Sequence, residues 1–272
     1  MELTELDALA LARAVREQAT TATEVARAHL GRAERLSEVV GAFARLTPER
    51  ALAEAAEVDA AVARGETSAP LLGVPCPIKD LNPVAGVGWE AGSVVMRGNL
   101  AEVDDDIVGW FRAAGTVVLG KSATPEFGLP CYTEPEGAPA ARTPWDLRRS
   151  AGGSSGGAAA AVAAGLAPIA HASDAGGSIR IPASACGLVG LKASRGRISA
   201  GRLRVPGPGL GTDGVLSRTV ADTAAALDVL SGHGVGETYH APAPASTFAE
   251  AAGREPGRLR IGVLTTPVIA EA

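Results

Sequence analysis

The sequence predicts an α/β fold, in which a mixed, twisted β-sheet is covered by helices on both faces and preceded by an N-terminal helical segment. Two observations predict it. The Ala-rich first part of the chain, residues 4–64, carries the start signals of three helices. After Gly65, short apolar runs separated by Gly and Pro alternate with further helical stretches, as in an α/β core. The 272 residues, 46% of them hydrophobic, are ample for a large buried core.

The N-terminal helices are predicted from their first residues. Thr21 and Glu24 have the spacing of a capping box, in which each side chain accepts a hydrogen bond from the main-chain N–H of the other residue. Thr47 followed by Pro48 is typical of an N-cap with proline at the first helical position. We therefore expect one helix to begin after Thr21 and another at Pro48.

The later elements follow from similar signals. Three aspartates at residues 104–106 precede an apolar helical stretch, where the helix macrodipole favours carboxylates. A divalent-metal site is the alternative, but successive side chains point in different directions, so helix capping is favoured. The other predicted elements are a strand at 116–119, an Ala-rich helix after Gly156, apolar stretches near 168–170 and 188–191, a helix from about 219 to 230 and a strand at 259–264.

We expect a single domain over residues 1–272. The predicted parts are N-terminal helices at 1–66, a catalytic core at 67–231, a linker at 232–257 and the start of a further strand region at 258–272. The linker is predicted because this stretch is rich in Gly, Pro and His.

Composition disfavours several classes of partner. With 30 acidic and 25 basic side chains the formal net charge is −5, so no broad positive field attracts nucleic acid or anionic lipid. The most basic stretch, residues 192–204, lacks aromatic side chains for base stacking and is interpreted as a solvated loop. Cys76, Cys131 and Cys186 form neither a CxxC pair nor an even disulfide set, and the acidic N-terminus does not resemble a signal peptide. We expect a cytoplasmic protein with reduced thiols.

Residues 115–122 satisfy the P-loop pattern GxxxxGK[ST] letter for letter. A phosphate cradle needs a strand before the motif, a flexible turn inside it and a helix after the lysine. Here the interior of the motif is itself the predicted strand, and Pro125 follows soon after the serine. Nucleotide binding is therefore disfavoured.

A second motif, GxSxG, places Ser155 at the centre of a nucleophile elbow, as in an α/β-hydrolase. The bases available to it are His171, His233 and His240, and the orienting acid would be Asp213 or Asp222. An elbow serine follows a buried strand, whereas the residues before Gly153 are polar and loop-like. We keep the elbow as the weaker alternative.

A third set of residues suits base-activated acyl transfer. Ser154 lies in the Gly-Ser run at 152–157, Ser178 follows 24 residues later in the segment 174–180, and Lys79 is flanked by apolar residues. Gly-Ser runs are usually flexible linkers or tight turns. Two such runs on either side of an apolar helix-strand unit make that interpretation less attractive.

At these residues the sequence resembles the amidase signature family, from about residue 71 through 190 and with further similarity to the end. The matching segments are 73–75 leading to Lys79 and Asp80, 119–121, 125–128, 144–146, 152–157, 173–182 and 186–192. The chain departs from the family pattern at Thr143 and Ala193, and members of the family usually run substantially longer. We therefore expect that a C-terminal part, which completes the sheet and walls the substrate pocket, is missing.

The resemblance implies a role for each residue of the set. Ser178 would be the nucleophile, Ser154 a bridging serine on a cis peptide, and Lys79 the base. The oxyanion hole would consist of the main-chain N–H groups of Ala175, Gly176, Gly177 and Ser178. We assign Ser155, Asp174 and Arg180 supporting roles, with Asp174 and Arg180 expected to form an ion pair.

The chemistry requires an uncharged Lys79, because only a neutral amine can remove a proton from a serine hydroxyl. At its reference pKa of about 10.4 a lysine is neutral roughly one time in 2,500 at pH 7, and a pKa lower by about three units raises this fraction to roughly one in three or four. Pro77, Ile78 and Leu81 are apolar neighbours that exclude water, and Asp80 points to the opposite side of an extended segment.

These observations predict a serine amidohydrolase without metal or organic cofactor, which cleaves a small-molecule carboxylic amide through an acyl-enzyme. The alternative is an amidase-like subunit of a glutamyl-tRNA amidotransferase or an inactive truncated homologue. A homodimer or a partner subunit is compatible with either interpretation. His171 is interpreted as a hydrogen-bonded core or loop residue rather than as a catalytic base.

Overall fold

The computed structural model describes residues 2–203, 209–234, 236–237 and 239–263. The helices are α1 (Ala8–Arg16), α2 (Ala22–Val40), α3 (Pro48–Ala63), α4 (Asp106–Ala113), α5 (Gly156–Ala163), α6 (Arg180–Cys186), α7 (Val220–Leu230) and α8 (Phe248–Ala252). The strands are β1 (Phe43–Leu46), β2 (Ile78–Lys79), β3 (Gly120–Ser122), β4 (Ile169–Asp174), β5 (Val189–Gly190) and β6 (Thr212–Ser217). The predicted α/β class is confirmed.

The three N-terminal helices α1 to α3 are present, with the starts that the sequence predicts. The capping box at α2 is complete: the Thr21 hydroxyl accepts from the N–H of Glu24 at 3.1 Å, and the Glu24 carboxylate accepts from the N–H of Thr21 at 2.9 Å. Helix α3 begins at Pro48, but the Thr47 side chain makes no capping hydrogen bond. This helical segment also contains the short strand β1, which was not predicted.

The strands form two three-stranded sheets within the described residues, in the orders β1-β3-β2 and β4-β6-β5. Only β2 and β3 are parallel; the other three pairs are antiparallel, so the strand pairing is mixed as predicted. The two sheets meet where β2 lies beside β4, and the N–H of His171 donates to the carbonyl of Pro77 at 3.0 Å across this joint. A single sheet was expected, and the described residues form two that adjoin.

Helix α5 occupies the core between these elements. Its residues from Gly156 to Val162 are all buried, and it packs against β4 and against helices α2 and α6. The Gly-Ser run that leads into it is buried over residues 151–155 as well. The run is therefore a packed segment of the core and not a flexible linker.

The aspartates at residues 104–106 act separately. Asp105 caps α4 by accepting from a main-chain N–H of the first turn at 3.2 Å, as predicted. Asp104 pairs with Arg112, whereas Asp106 bonds to Arg202 at 2.6 Å on another side. Their carboxylates thus serve a helix cap and two ion pairs.

The C-terminal part contains one helix that was not predicted and, over its described residues, lacks one predicted strand. The predicted linker at 232–257 contains α8, whose first two N–H groups donate to the Asp228 carboxylate on α7 at 2.7 and 2.9 Å. Residues 259–263 are exposed and form no strand, and the end of that predicted strand at Leu264 lies outside the described residues. In the part of the chain that the structure describes, no helix combines the length and apolarity needed to cross a bilayer.

Candidate active site

Lys79 is the last residue of β2, and its side chain is completely buried. Its main chain is fixed by parallel pairing with Ser122 on β3. The amine Nζ lies 2.8 Å from Oγ of Ser154 and 3.2 Å from Oγ of Ser173. The amine of Lys79 and the hydroxyl of Ser154 are therefore in direct contact.

Burial changes the acid–base behaviour of this amine. Removal from water lowers the pKa of Lys79 from 10.5 to about 7, and the carboxylates of Asp213 and Asp174 oppose this shift only in part. A large fraction of the amine is thus uncharged near neutral pH, which is the state a base requires.

Asp80 faces away from the amine, as strand alternation predicts. Its carboxylate accepts from Nζ of Lys121 at 2.8 Å, and both side chains of this ion pair are buried. The pair uses the lysine of the P-loop-like motif, so Lys121 is not available to a phosphate. Lys121 also lies within strand β3 rather than directly before a helix, and the nucleotide-binding interpretation is not supported by this geometry.

The two serines of the Gly-Ser run have different surroundings. The Gly153–Ser154 peptide bond is cis, as the family resemblance implied, and the Ser154 hydroxyl faces Lys79. The Ser155 hydroxyl is buried against β4, where it lies 3.3 Å from the carbonyl oxygen and 3.4 Å from the nitrogen of Ser173. Ser155 therefore braces the helix start against the strand and is not placed as a nucleophile.

The other residues that the elbow needs are not gathered around Ser155. His171 uses both ring nitrogens elsewhere, in contacts with Lys79 and Asp213. His233 and His240 stack on one another with ring centroids 5.1 Å apart. The nucleophile-elbow alternative is therefore wrong for this fold.

Asp174 organises the loop that carries Ser178. Its carboxylate accepts from the N–H groups of Gly177 at 2.8 Å and Ile179 at 3.2 Å. It also forms a bidentate ion pair with the Arg180 guanidinium at 2.9 and 3.0 Å, which confirms that prediction. Burial favours a higher pKa for Asp174, but these hydrogen bonds outweigh it and hold the pKa well below the usual range of a carboxyl.

Ser178 lies next to the Gly-Ser run. Its carbonyl oxygen accepts from the N–H of Ser155 at 3.2 Å, which brings the two serine loops together. Its side chain is half-buried, and its hydroxyl forms no hydrogen bond with the residues described. The hydroxyls of Ser154 and Ser178 are therefore not hydrogen-bonded to one another, whereas the Ser154 hydroxyl contacts Lys79.

The predicted oxyanion hole needs one correction. The N–H of Gly177 is donated to Asp174 and is not free to bind substrate. The N–H groups of Ala175, Gly176 and Ser178 make no hydrogen bond with the described residues. Gly176 is exposed, with nothing within 4 Å of the position that a Cβ would take. Three of the four predicted donors thus have no hydrogen-bond partner among the described residues, and Gly176 lies beside open space.

Ser173 is a site residue that the sequence reasoning missed. It lies on β4, where His171 and Ser173 share one face because strand side chains alternate. The signal was present, since a serine two residues after a histidine, with an alanine between them, indicates a polar face of the strand. What could not be seen from the sequence is that this face meets Lys79.

Comparisons with known proteins show the same similarity over most of the chain. The amidase family model matches residues 24–272. The 6-aminohexanoate-cyclic-dimer hydrolase of Paenarthrobacter ureafaciens is 43% identical over 265 residues, which cover 95% of this chain and 52% of that protein. A glutamyl-tRNA(Gln) amidotransferase subunit from Carboxydothermus hydrogenoformans is 39% identical over 233 residues, which cover 86% of this chain and 48% of that protein.

A solved structure is similar over nearly the whole chain. The structure of 6-aminohexanoate cyclic dimer hydrolase complexed with substrate has a TM-score of 0.87 and 41% sequence identity, and the match covers 98% of this chain and 54% of that chain. The chain thus spans about half the length of the curated relatives it matches.

Proposed function

The chain belongs to the amidase signature family, and on that premise we propose that it cleaves carboxylic amides through an acyl-enzyme. Ser178 is the nucleophile, Ser154 passes the proton and Lys79 is the base. One observation carries the proposal: a fully buried amine, whose pKa is lowered to about 7, lies 2.8 Å from the Ser154 hydroxyl. Desolvation is the means by which proteins make a lysine act as a base at neutral pH.

The first half of the reaction forms the acyl-enzyme. The unbonded Ser178 hydroxyl turns towards Ser154, and its proton passes to Ser154 as the proton of Ser154 passes to neutral Lys79. Oγ of Ser178 then bonds to the carbonyl carbon of the amide. The negative charge that develops on the carbonyl oxygen is stabilised by the free N–H groups of Ala175, Gly176 and Ser178.

The second half releases both products. The Lys79 ammonium returns its proton through Ser154 to the nitrogen of the leaving amine, and the C–N bond breaks to leave an ester on Ser178. Water then gives a proton through Ser154 to Lys79, and its oxygen bonds to the ester carbon. As the C–O bond to Ser178 breaks, the same proton returns through Ser154 to Oγ of Ser178, which releases a carboxylic acid and restores the serine hydroxyl and the neutral amine. Every step is a proton transfer or an acyl transfer, and each is assigned to Lys79, Ser154 or Ser178.

The substrate proposed is a small carboxylic amide, linear or cyclic. The relative named for its action on a cyclic dimer of 6-aminohexanoate makes cyclic amides suitable first substrates. We place the protein in the cytoplasm, because Cys76, Cys131 and Cys186 are all free thiols, which fits a reducing compartment.

A second candidate function is that of an amidase-like component of a glutamyl-tRNA amidotransferase, which is favoured by the 39% identity to one such protein. The two candidates share the proposed triad and differ in what surrounds it. If the isolated chain does not hydrolyse simple amides but Ser178 is still labelled by a fluorophosphonate, the amidotransferase role is favoured.

Hydrolysis of a small aryl amide tests the proposal, with release of the coloured aniline as the measurement. Lys79→Met keeps an apolar side chain in the buried position but removes the amine, and we expect the rate to fall roughly 10²- to 10⁴-fold. Ser178→Ala should reduce it to background. Ser68→Ala, at an exposed serine, is the matched control and should leave the rate unchanged. Equal rates in wild type and Ser178→Ala would refute the proposal.

A further inference from the structure

The imidazole of His171 connects the main chain of Lys79 to Asp213. The N–H of Lys79 donates to Nδ1 of His171 at 3.2 Å, and Nε2 lies 3.0 Å from Oδ1 of Asp213. The ring also packs edge-on against Phe111 with centroids 5.9 Å apart. His171 and Asp213 are both buried, so the connection is protected from water.

These contacts determine the protonation state of the ring. A main-chain N–H can only donate, so Nδ1 must present its lone pair to Lys79. A neutral ring then carries its proton on Nε2, where the Asp213 carboxylate accepts it. A cationic ring would direct a second N–H at the N–H of Lys79 and break the contact. The geometry therefore selects the neutral Nε2–H tautomer.

The same contacts hold the main chain of Lys79 on the side of β2 where no strand pairs with it. This strand has two residues, and its ladder pairing is to β3 on one side. On the other side, towards β4, the Lys79 N–H is held by an imidazole and not by a strand carbonyl. Ser173 on the same face of β4 contacts Nζ at 3.2 Å. One face of β4 thus holds Lys79 at both its main chain and its amine.

From this geometry we infer that His171 is a positioning residue, which fixes Lys79 for proton transfer as a neutral imidazole oriented by Asp213. The inference rests on the proposed function of Lys79 as the base. It goes beyond a packing role, because it requires an acceptor at the δ position of residue 171 and not merely a side chain of similar volume.

Two substitutions separate these requirements. In His171→Asn the amide oxygen takes the place of Nδ1 and can still accept from the N–H of Lys79. In His171→Gln the amide nitrogen takes the place of Nε2 and can still donate to Asp213, but no acceptor remains for Lys79. The readouts are the rate of covalent labelling by a fluorophosphonate and the melting temperature, both measured on the full chain.

We expect the labelling rate to fall on the order of 100-fold in His171→Gln, since a displacement of about 1 Å at a catalytic group costs that much. His171→Asn should keep most of the wild-type labelling rate, although its melting temperature should be similar to that of His171→Gln. Long-range ¹H–¹⁵N spectra of the wild type should show the ring proton of His171 on Nε2.

Equal rates in the two variants, or a ring protonated on Nδ1, would overturn the role of His171 while leaving the proposed function intact. A wild-type chain that is not labelled at all would overturn the proposed function itself, and this inference with it.

Discussion

At the scale of single residues, the solvation of one amine decides whether the site can work near neutral pH. Lys79 has no exposed surface, and the cost of desolvating its charge lowers its pKa to about 7. The neighbouring Asp80 does not reverse the effect, because its carboxylate turns away and is neutralised by Lys121. The carboxylates that oppose the lowering of the Lys79 pKa are therefore Asp213 and Asp174, and not the adjacent Asp80.

The shift predicts the pH dependence of the reaction. Since only the neutral amine accepts a proton, the rate of fluorophosphonate labelling should rise with pH through about 7 and level off above it. A lysine with an ordinary pKa would still show a rising rate near pH 10. The measurement is a pH–rate profile in buffers of constant ionic strength. The rising limb should be absent in Lys79→Met, and a limb that survives this substitution would assign the titration to another group.

Part of this site could be predicted residue by residue. Alternation along an extended segment placed Lys79 and Asp80 on opposite sides, and the Asp174–Arg180 pair followed from opposite charges on one tight loop. The N–H of Gly177 could not be assigned in the same way, because its partner depends on how the loop closes around Asp174. The orientation of the Ser178 hydroxyl is likewise a matter of one side-chain torsion.

At the scale of elements, the Gly-Ser run and α5 pack closely against neighbouring main-chain segments, and this packing requires glycine at residue 157. Gly157 lies against the main chain of the segment after β3 and of the segment before β1, and a Cβ there would come within 2.5 Å of the carbonyl oxygen of Ala42. The N–H of Gly157 also donates to the carbonyl of Ala123 at 3.2 Å. Glycine is needed at this position for close approach and not for flexibility.

A pair of glycine substitutions tests this packing. Gly157→Ala should destabilise the protein by about 1–3 kcal/mol or prevent folding, because main-chain atoms cannot move aside as a side chain can. Gly31→Ala, in the interior of α2, meets only the end of the Arg35 side chain at 3.7 Å and should stabilise by up to about 1 kcal/mol. The measurement is chemical denaturation of both variants, and equal effects on stability would contradict the packing described.

Elements with local signals were predicted well, and those with distant partners were not. Helices α2 and α3 carry their start signals within a few residues. Strand β1 exists because the distant strand β3 pairs with it, with Leu46 opposite Gly120. The same pairing places β3 at Gly120–Ser122 rather than at the predicted residues 116–119, where Val117 forms an isolated bridge. The predicted strand at 259–264 finds no partner over its described residues 259–263.

At the scale of the whole molecule, the candidate site lies at the joint between the two sheets. Lys79 comes from β2 in one sheet, and Ser173 comes from β4 in the other. The loop with Ser178 directly follows β4, and the Gly-Ser run with Ser154 directly precedes α5. The fold therefore brings together groups that are distant in sequence by placing each at the end of a buried element.

The sequence motifs predict the residues of the candidate site but not the substrate. Lys79 lies on a buried strand and Ser154 directly before a buried helix, where packing restricts the choice of residue, and Ser178 lies on the loop after β4. Substrate selection depends on side chains around the open space beside Gly176, and these do not follow from the motifs. The chain spans about half the length of the relatives it matches, and its substrate has to be identified by direct assay.

The most direct test of the central claim is to find which atom a fluorophosphonate modifies. The intact chain is treated with the probe, digested and mapped by mass spectrometry, and Ser178→Ala and Lys79→Met are treated in parallel. The account predicts one phosphonyl group on the peptide that contains Ser178, none in Ser178→Ala, and strongly slowed labelling in Lys79→Met. An adduct on Ser155 or Ser154, or labelling that persists without Ser178, would contradict it.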